Sequence, residues 1–476
     1  MGGAIPTGVT ITPDMFIAIG PEQAIYLIFL GFFGGMLSGF IGSGGAFVLT
    51  PGMMAIGAPG AVAVASNMCH KFPNAMIGAW RRAKVGHLDV KLAVLFAVSS
   101  ILGVQIGIQL QKLILEVLGV AGTNLYVSMA FLIILPTVGG LCFRDVFKAR
   151  KYGIDDTEPT FAKKLEQKFR IPPMIHFKTA RRTQSLWLTI PCGFATGFLA
   201  ATIAVGGFIG VPSMIYIIGG PGFVASGTEL GVAFVMGSTG AWTWAYLLGA
   251  VDFRLTALIL AASLIGVQIG AVGTTYVRQY MVKLAMGVVM YIVVLSRACA
   301  VPGYLAELGW ISIDSGLRAT FDSLVYPLMI LAMVAVTPII VVPMLKVRSR
   351  LAKLGVLKDA LSVTSHSGKA VPKLLLFGAI TAANYFLLLR DPKAWPQFIT
   401  QIPHLDLTMR IGMATAVIGL AIYWSIVHGE FAHNFLDLVK ITSLKDEVAK
   451  RISAEGYEGV DAWASSVKAS AGSASK

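Results

Sequence analysis

The chain has 476 residues, 56% of them hydrophobic and 13% charged, and carries a formal net charge of +14. Soluble domains run nearer about 45–50% apolar and about 25% charged, so these figures exclude an ordinary water-soluble enzyme and an intrinsically disordered chain alike. Excess positive charge alone points to nucleic acid. Apolar runs of membrane-spanning length instead make it a marker of loops on one side of a bilayer. Cys69, Cys142, Cys192 and Cys299 are too few and too scattered for a disulfide framework or a C-x-x-C metal site, and read as inert buried thiols.

Residues 1–23 contain no Lys or Arg and no pattern of a cleaved signal peptide. A bilayer core of about 30 Å needs about 20 apolar residues in a helix. Such stretches lie at 24–57, 60–80, 90–110, 123–143, 185–218, 223–248, 254–276, 279–299, 323–345, 373–390 and 408–428. The first and fifth are overlong and broken by glycine and then proline: Gly42-Ser43-Gly44-Gly45 before Pro51, and Gly206-Gly207 before Pro212. Broken backbone is tolerated inside a membrane only where it is buried in protein or lines a cavity.

The chain repeats itself at a shift of about 162 residues. Gly31-Phe-Phe-Gly-Gly35 faces Gly193-Phe-Ala-Thr-Gly197, Gly44-Gly45 faces Gly206-Gly207, and Pro59-Gly60 faces Pro221-Gly222. Asp89 faces Asp252, and Gly103-Val-Gln105-Ile-Gly107 recurs unchanged as Gly266-Val-Gln268-Ile-Gly270. Charge then sets the topology. Loops 144–182 and 346–373 each carry a net +6, and loop 81–88 carries +3. If both broken segments crossed the membrane, the two large basic loops would lie on opposite sides, against the positive-inside rule. If both are hairpins, all three loops are cytoplasmic and the second half is inverted.

The expected fold is an all-α polytopic membrane protein with inverted structural repeats. Each repeat is a glycine-broken re-entrant hairpin plus three transmembrane helices, and three extra C-terminal transmembrane helices follow. The expected divisions are an N-terminal non-cytoplasmic segment (1–23), a first repeat (24–143), a basic cytoplasmic loop (144–184), a second repeat (185–300), a C-terminal transmembrane unit (301–428) with the basic loop 346–373, and a cytoplasmic tail (429–476) that frays at its end. Sites in such repeat architectures lie at the repeat interface on discontinuous helices.

The glycine spacing through 31–45, closing in Gly42-Ser43-Gly44-Gly45 with Pro51 after it, resembles the signature of the TauE/SafE, or sulfite exporter-like, membrane proteins. The alanine-rich run Ala61 to Ala65, Arg81-Arg82 and Gly86 follow as in that family, and the second copy at Gly193 to Pro212 fits its internal duplication. The second turn reads Ala204-Val-Gly206-Gly207 and lacks the first glycine. The likeness covers roughly residues 24–300. The resemblance implies a multi-pass transporter of the bacterial inner membrane that moves sulfite, an organosulfonate or a related organic anion.

The residues offer their own candidates. Gly42, Ser43, Gly44 and Gly45, and in the second copy Gly206 and Gly207, could turn backbone N–H groups toward an anion at a half-helix N-terminus. The competing reading is close helix packing through small residues. Asn67 and Lys71 lie in span 60–80. A lysine near mid-bilayer costs at least about 2.5–3.5 kcal/mol and marks a pathway or a pair, unless it snorkels to the interface. Thr228 and Glu229 stand opposite Ser66 and Asn67 in the repeat. Glu229 is either a proton-coupling group or the partner that neutralises Lys71. His70 is a second coupling candidate, with a hydrogen-bonded core histidine as the alternative. Gln105 and Gln268 read as packing or clasp residues, and Asp89 and Asp252 as helix caps.

No P-loop, zinc spacing, nucleophile elbow or dinucleotide fingerprint is present. The expectation is therefore a non-enzyme without cofactor or metal, a secondary transporter working by alternating access. Its partners are a small anionic substrate, the lipid bilayer and protons as coupling ion, with no nucleic acid. An anion channel and a membrane scaffold are the alternatives.

Overall fold

The computed structural model describes residues 11–41, 45–84, 86–152, 165, 167–361, 370–439 and 443–474. The first broken stretch forms α1 (Pro21–Ile41) and α2 (Ala46–Ala55), and α3 (Gly60–Lys84) follows. Stretches 90–110 and 123–143 are one helix, α4 (Val90–Tyr152), bent at Gly119, whose φ of 64° suits glycine alone. The second broken stretch forms α5 (Leu186–Ile203) and α6 (Gly207–Pro212), extended by a π turn over Ser213–Ile217. Then come α7 (Gly222–Leu248), α8 (Phe253–Thr274), α9 (Gln279–Glu307), α10 (Ser315–Lys353), the single turn α11 (Leu357–Ala360), α12 (Ala370–Leu389), α13 (Ala394–Gln401), α14 (Leu407–Val439), α15 (Asp446–Glu455) and α16 (Tyr457–Ala474).

Among the described residues, eight helices are long and apolar enough to cross a membrane. That is fewer than the eleven apolar stretches. The bend at Gly119 merges two of them, and α3 and α7, which carry the polar candidates, are not among the eight. A second departure is a two-stranded antiparallel hairpin, β1 (Met174–Phe177) with β2 (Arg182–Ser185), inside the segment expected to be a plain basic loop. A third is the tail. It packs Leu444, Val448, Ile452, Val460 and Trp463 against Leu351 of α10 and Tyr276 between α8 and α9, in a small core of its own.

Glycines set how closely the two halves approach. Along α1, a side chain at Gly31, Gly35 or Gly39 would strike the backbone of α8 at Ile259, Ser263 or Val267. Along α8, Gly266 and Gly270 meet the backbone of α1 at Phe32 and Met36 in return. The same engagement recurs one repeat away. Gly193 and Gly197 of α5 meet Phe96 and Ser100 of α4, and Gly103 and Gly107 of α4 meet Phe194 and Phe198 of α5. The first helix of each half thus packs on the fourth segment of the other, and α3 lies along α7 between them. Small residues permit this contact where apolar burial offers little drive.

Two matched hydrogen bonds extend the pattern. The Ser66 hydroxyl accepts from the Asp252 N–H at 2.9 Å, and the Thr228 hydroxyl accepts from the Asp89 N–H at 3.0 Å. Asp252 and Asp89 also cap their own helices, accepting from the Arg254 and Leu92 N–H groups. The two sites lie at opposite ends of the bundle. At the Asp89 end, its carboxylate takes the Thr179 and Ala180 N–H groups, and Arg182 donates to the Gly219 carbonyl. At the other end, Arg254 and Asp252 pair at 2.8 Å with both side chains buried. The Arg254 guanidinium also donates to the carbonyls of Pro392 (2.6 Å) and Ile17 (3.2 Å), forming a clasp over three segments.

α2 lies back against α1. Leu49 and Gly52 of α2 lie against Gly34 and Leu30 of α1, and the Tyr26 hydroxyl donates to the Gly52 carbonyl. Ile17 before α1 joins the Arg254 clasp, and Gly60 after α2 donates to Asn124, close to the Gly119 bend. Ser185 and Gly219, which flank α5 and α6, both lie at the Asp89 end.

The clasp makes a direct prediction. Removing one member of a buried pair leaves the other charge uncompensated, at a cost of about 3–5 kcal/mol. Arg254→Leu should therefore lower the melting temperature of the purified protein, and the double change Asp252→Asn with Arg254→Leu should lower it less. Thermal unfolding in detergent checks this, and equal losses in the two variants contradict it.

Candidate functional site

A cavity of about 200 Å³ lies between α1, the start of α2, α3, α7 and α8. Its α3 wall carries Asn67, Lys71, Asn74, Gly78 and Arg82, a spacing of three or four residues that places all five on one helix face. The floor is Gly45 and Ala46, at the start of α2. Gly34, Gly35 and Gly39 of α1 form a second wall without side chains. Glu229 and Leu230 of α7 and Val267 and Ala271 of α8 complete it. The cavity runs up α3 toward Arg82, which packs beside Gly227 at the Asp89 end. At the opposite end the Asn67 amide closes it, donating to the Ala46 carbonyl at 3.1 Å and the Thr50 hydroxyl at 2.8 Å.

The expected residues divide between wall and frame. Gly45, Asn67, Lys71, His70 and Glu229 line this cavity together. Gly42, Ser43 and Gly44 lie outside the described residues. Gly206 and Gly207 are buried at the start of α6, where Gly206 faces the Thr196 carbonyl and the Ala200 methyl, and they are not in the cavity wall. Thr228 is buried with its hydroxyl engaged by the Asp89 N–H and also stands outside the wall. The two broken segments nevertheless touch, through the Phe47 and Phe208 rings at 4.6 Å.

The ionisable groups are disposed unevenly. His70 is buried and hydrogen-bonded through Nε2 to the Ser263 hydroxyl at 2.9 Å and to Asn74 at 3.3 Å. Glu229 is 2% exposed, its carboxylate rests against the α-carbon of Gly210 on α6, and neither oxygen has a hydrogen-bond partner. Lys71 and Glu229 lie within electrostatic range of each other. Among the described residues neither belongs to an ion pair. No group of His, Cys, Asp and Glu among the described residues could hold a metal ion.

Sequence reasoning placed Asn74 just beyond the Ser66 to Lys71 candidates and passed over Arg82 and Ser38 as members of the wall. The periodicity from Asn67 through Arg82 was the available signal. It was obscured because Arg82 reads as part of a basic loop, whereas α3 continues to Lys84. The glutamines separate. Gln105 donates to Thr243 across the two halves at 3.0 Å, while Gln268 lines a neighbouring cavity of about 400 Å³ beside Glu430 and Ser425 of α14. The C-terminal helix α14 thus covers the side of the repeat core.

Comparison with known proteins agrees with this architecture. The sequence model of the sulfite exporter TauE/SafE family matches residues 27–297, from α1 through most of α9. No curated protein and no solved structure matches the chain. The match spans more than half of the chain and takes in every element that walls the cavity, so the protein belongs to the sulfite exporter TauE/SafE family of membrane transporters.

Proposed function

We propose that this chain is a secondary transporter of the bacterial inner membrane that carries a small anion, such as sulfite or a sulfonate, by alternating access. The Lys71 cavity is its binding site. The observation that carries this reading is an ammonium without an ion pair in a cavity floored by the start of α2. A lysine held at membrane depth is costly and marks a pathway. The start of α2 brings a helix N-terminus to the same cavity. Arg82, about 16 Å further along α3 at 1.5 Å per residue, draws anions toward the mouth without sharing the inner site.

The membrane arrangement belongs to the same reading. Each broken segment is a re-entrant hairpin, and the halves are inverted repeats. Three features support this: the matched glycine contacts, the matched Ser66–Asp252 and Thr228–Asp89 bonds at opposite ends, and the return of each hairpin to the end where it began. The Asp89 end carries the basic loops and is the cytoplasmic side. The cavity leads toward that side and is closed beyond Asn67, as in an inward-facing carrier.

Two measurements test this. Sulfite counterflow into proteoliposomes should saturate in the native protein and fall about tenfold or more in Lys71→Gln, equivalent to about 1.4 kcal/mol of lost stabilisation. Unchanged counterflow in Lys71→Gln removes the site, and flux without counterflow indicates a channel. In a cysteine-free background, Asn74→Cys should react with a membrane-impermeant thiol reagent added from the side of the basic loops, and sulfite should slow the reaction. Labelling only from the Arg254 side contradicts the orientation.

A further inference from the structure

The cavity wall holds more than an anion needs. Lys71 supplies donors, yet four buried acceptor oxygens on the same wall have no hydrogen-bond partner: Asn67 Oδ1, Asn74 Oδ1 and both oxygens of Glu229. The two amides are oriented by their other bonds. The Asn67 Nδ2 donates to Ala46 and Thr50, and the Asn74 Nδ2 faces His70, so both carbonyl oxygens are left over. Glu229 cannot relax onto α6, because Gly210 already abuts it. An unsatisfied buried acceptor costs about 1–3 kcal/mol, more for a charged one. A simple anion answers Lys71 and leaves all four oxygens unmet. It also brings a second negative charge beside Glu229.

We propose that the preferred ligand of this cavity is a zwitterion, with an acidic head on Lys71 and an ammonium on Glu229, Asn67 and Asn74. Within the anion-transporter reading, on which this rests, the class is a short aminoalkanesulfonate. Lys71 and Glu229 lie within electrostatic range without forming an ion pair, which leaves each side chain open to one end of such a molecule. The cavity of about 200 Å³ holds a chain of a few carbons. Glu229 thereby becomes a specificity-determining residue that contacts substrate.

The test is isothermal titration of the full-length protein in lipid nanodiscs. Three probes are compared: 2-aminoethanesulfonate, 2-hydroxyethanesulfonate and ethanesulfonate. The aminated compound should bind about tenfold or more tighter than ethanesulfonate, with the hydroxylated one between them. In Glu229→Gln that preference should collapse to about unity, while Lys71→Gln should weaken all three. Equal affinity for the aminated and plain sulfonates in the native protein overturns the proposal and leaves the anion site standing. A preference that survives Glu229→Gln also overturns it. If no sulfonate binds, the anion-site reading itself fails and takes the proposal with it.

Discussion

The structure depends on backbone-to-backbone contact between its two halves. Gly31, Gly35 and Gly39 on α1 meet α8, and Gly193 and Gly197 on α5 meet α4, so helices from different repeats touch without side chains between them. Lipid tails are as apolar as leucine, so such an interface is held by close packing. The contact has a chemical consequence. Gly35 and Gly39 pack on α8 and, with Gly34, also border the cavity, where the absence of side chains leaves room. One device therefore joins the halves and hollows the site between them.

The repeat is symmetric in its frame and asymmetric in its chemistry. Ser66 with Asp252 and Thr228 with Asp89 are equivalent bonds at opposite ends. The ionisable groups are not equivalent. At the shift of about 162 residues, Lys71 corresponds to Ala233 and Glu229 to Asn67, so the first half brings basic groups and the second an acid to a single cavity. Phe208 near the start of α6 meets Phe47 of α2 edge-on.

Much of this frame was legible in the sequence. The breaks at Gly42 to Gly45 and at Gly206-Gly207, the repeated Gly-Val-Gln-Ile-Gly landmark and the two capping aspartates all reflect local rules of backbone and packing. Asn67, Lys71 and Glu229 stood out in the sequence as polar residues within apolar stretches, and all three line the cavity. What escaped was whatever depends on partners distant in sequence. Thr228 looked like a wall residue beside Glu229, but on a helix neighbours point about 100° apart, and its hydroxyl serves Asp89. The β1–β2 hairpin has only four residues a strand, Met-Ile-His-Phe and Arg-Thr-Gln-Ser, with no regular apolar alternation to announce it. The tail looked like a solvated appendage because its apolar residues find their partners on α10 and at Tyr276, more than 90 residues away. The role of α14 as a cover for the repeat core likewise required the tertiary arrangement.

The central claim is that Lys71 holds the transported anion in the cavity between α1, α2, α3, α7 and α8. Selenite, the heavier analogue of sulfite, makes this directly visible. Anomalous scattering from crystals of the protein soaked in selenite should place selenium beside the Lys71 ammonium, between Ala46 and Asn74. The peak should vanish in Lys71→Gln. Selenium bound instead at the Gly206-Gly207 turn, or a peak beside residue 71 that persists in Lys71→Gln, contradicts the account.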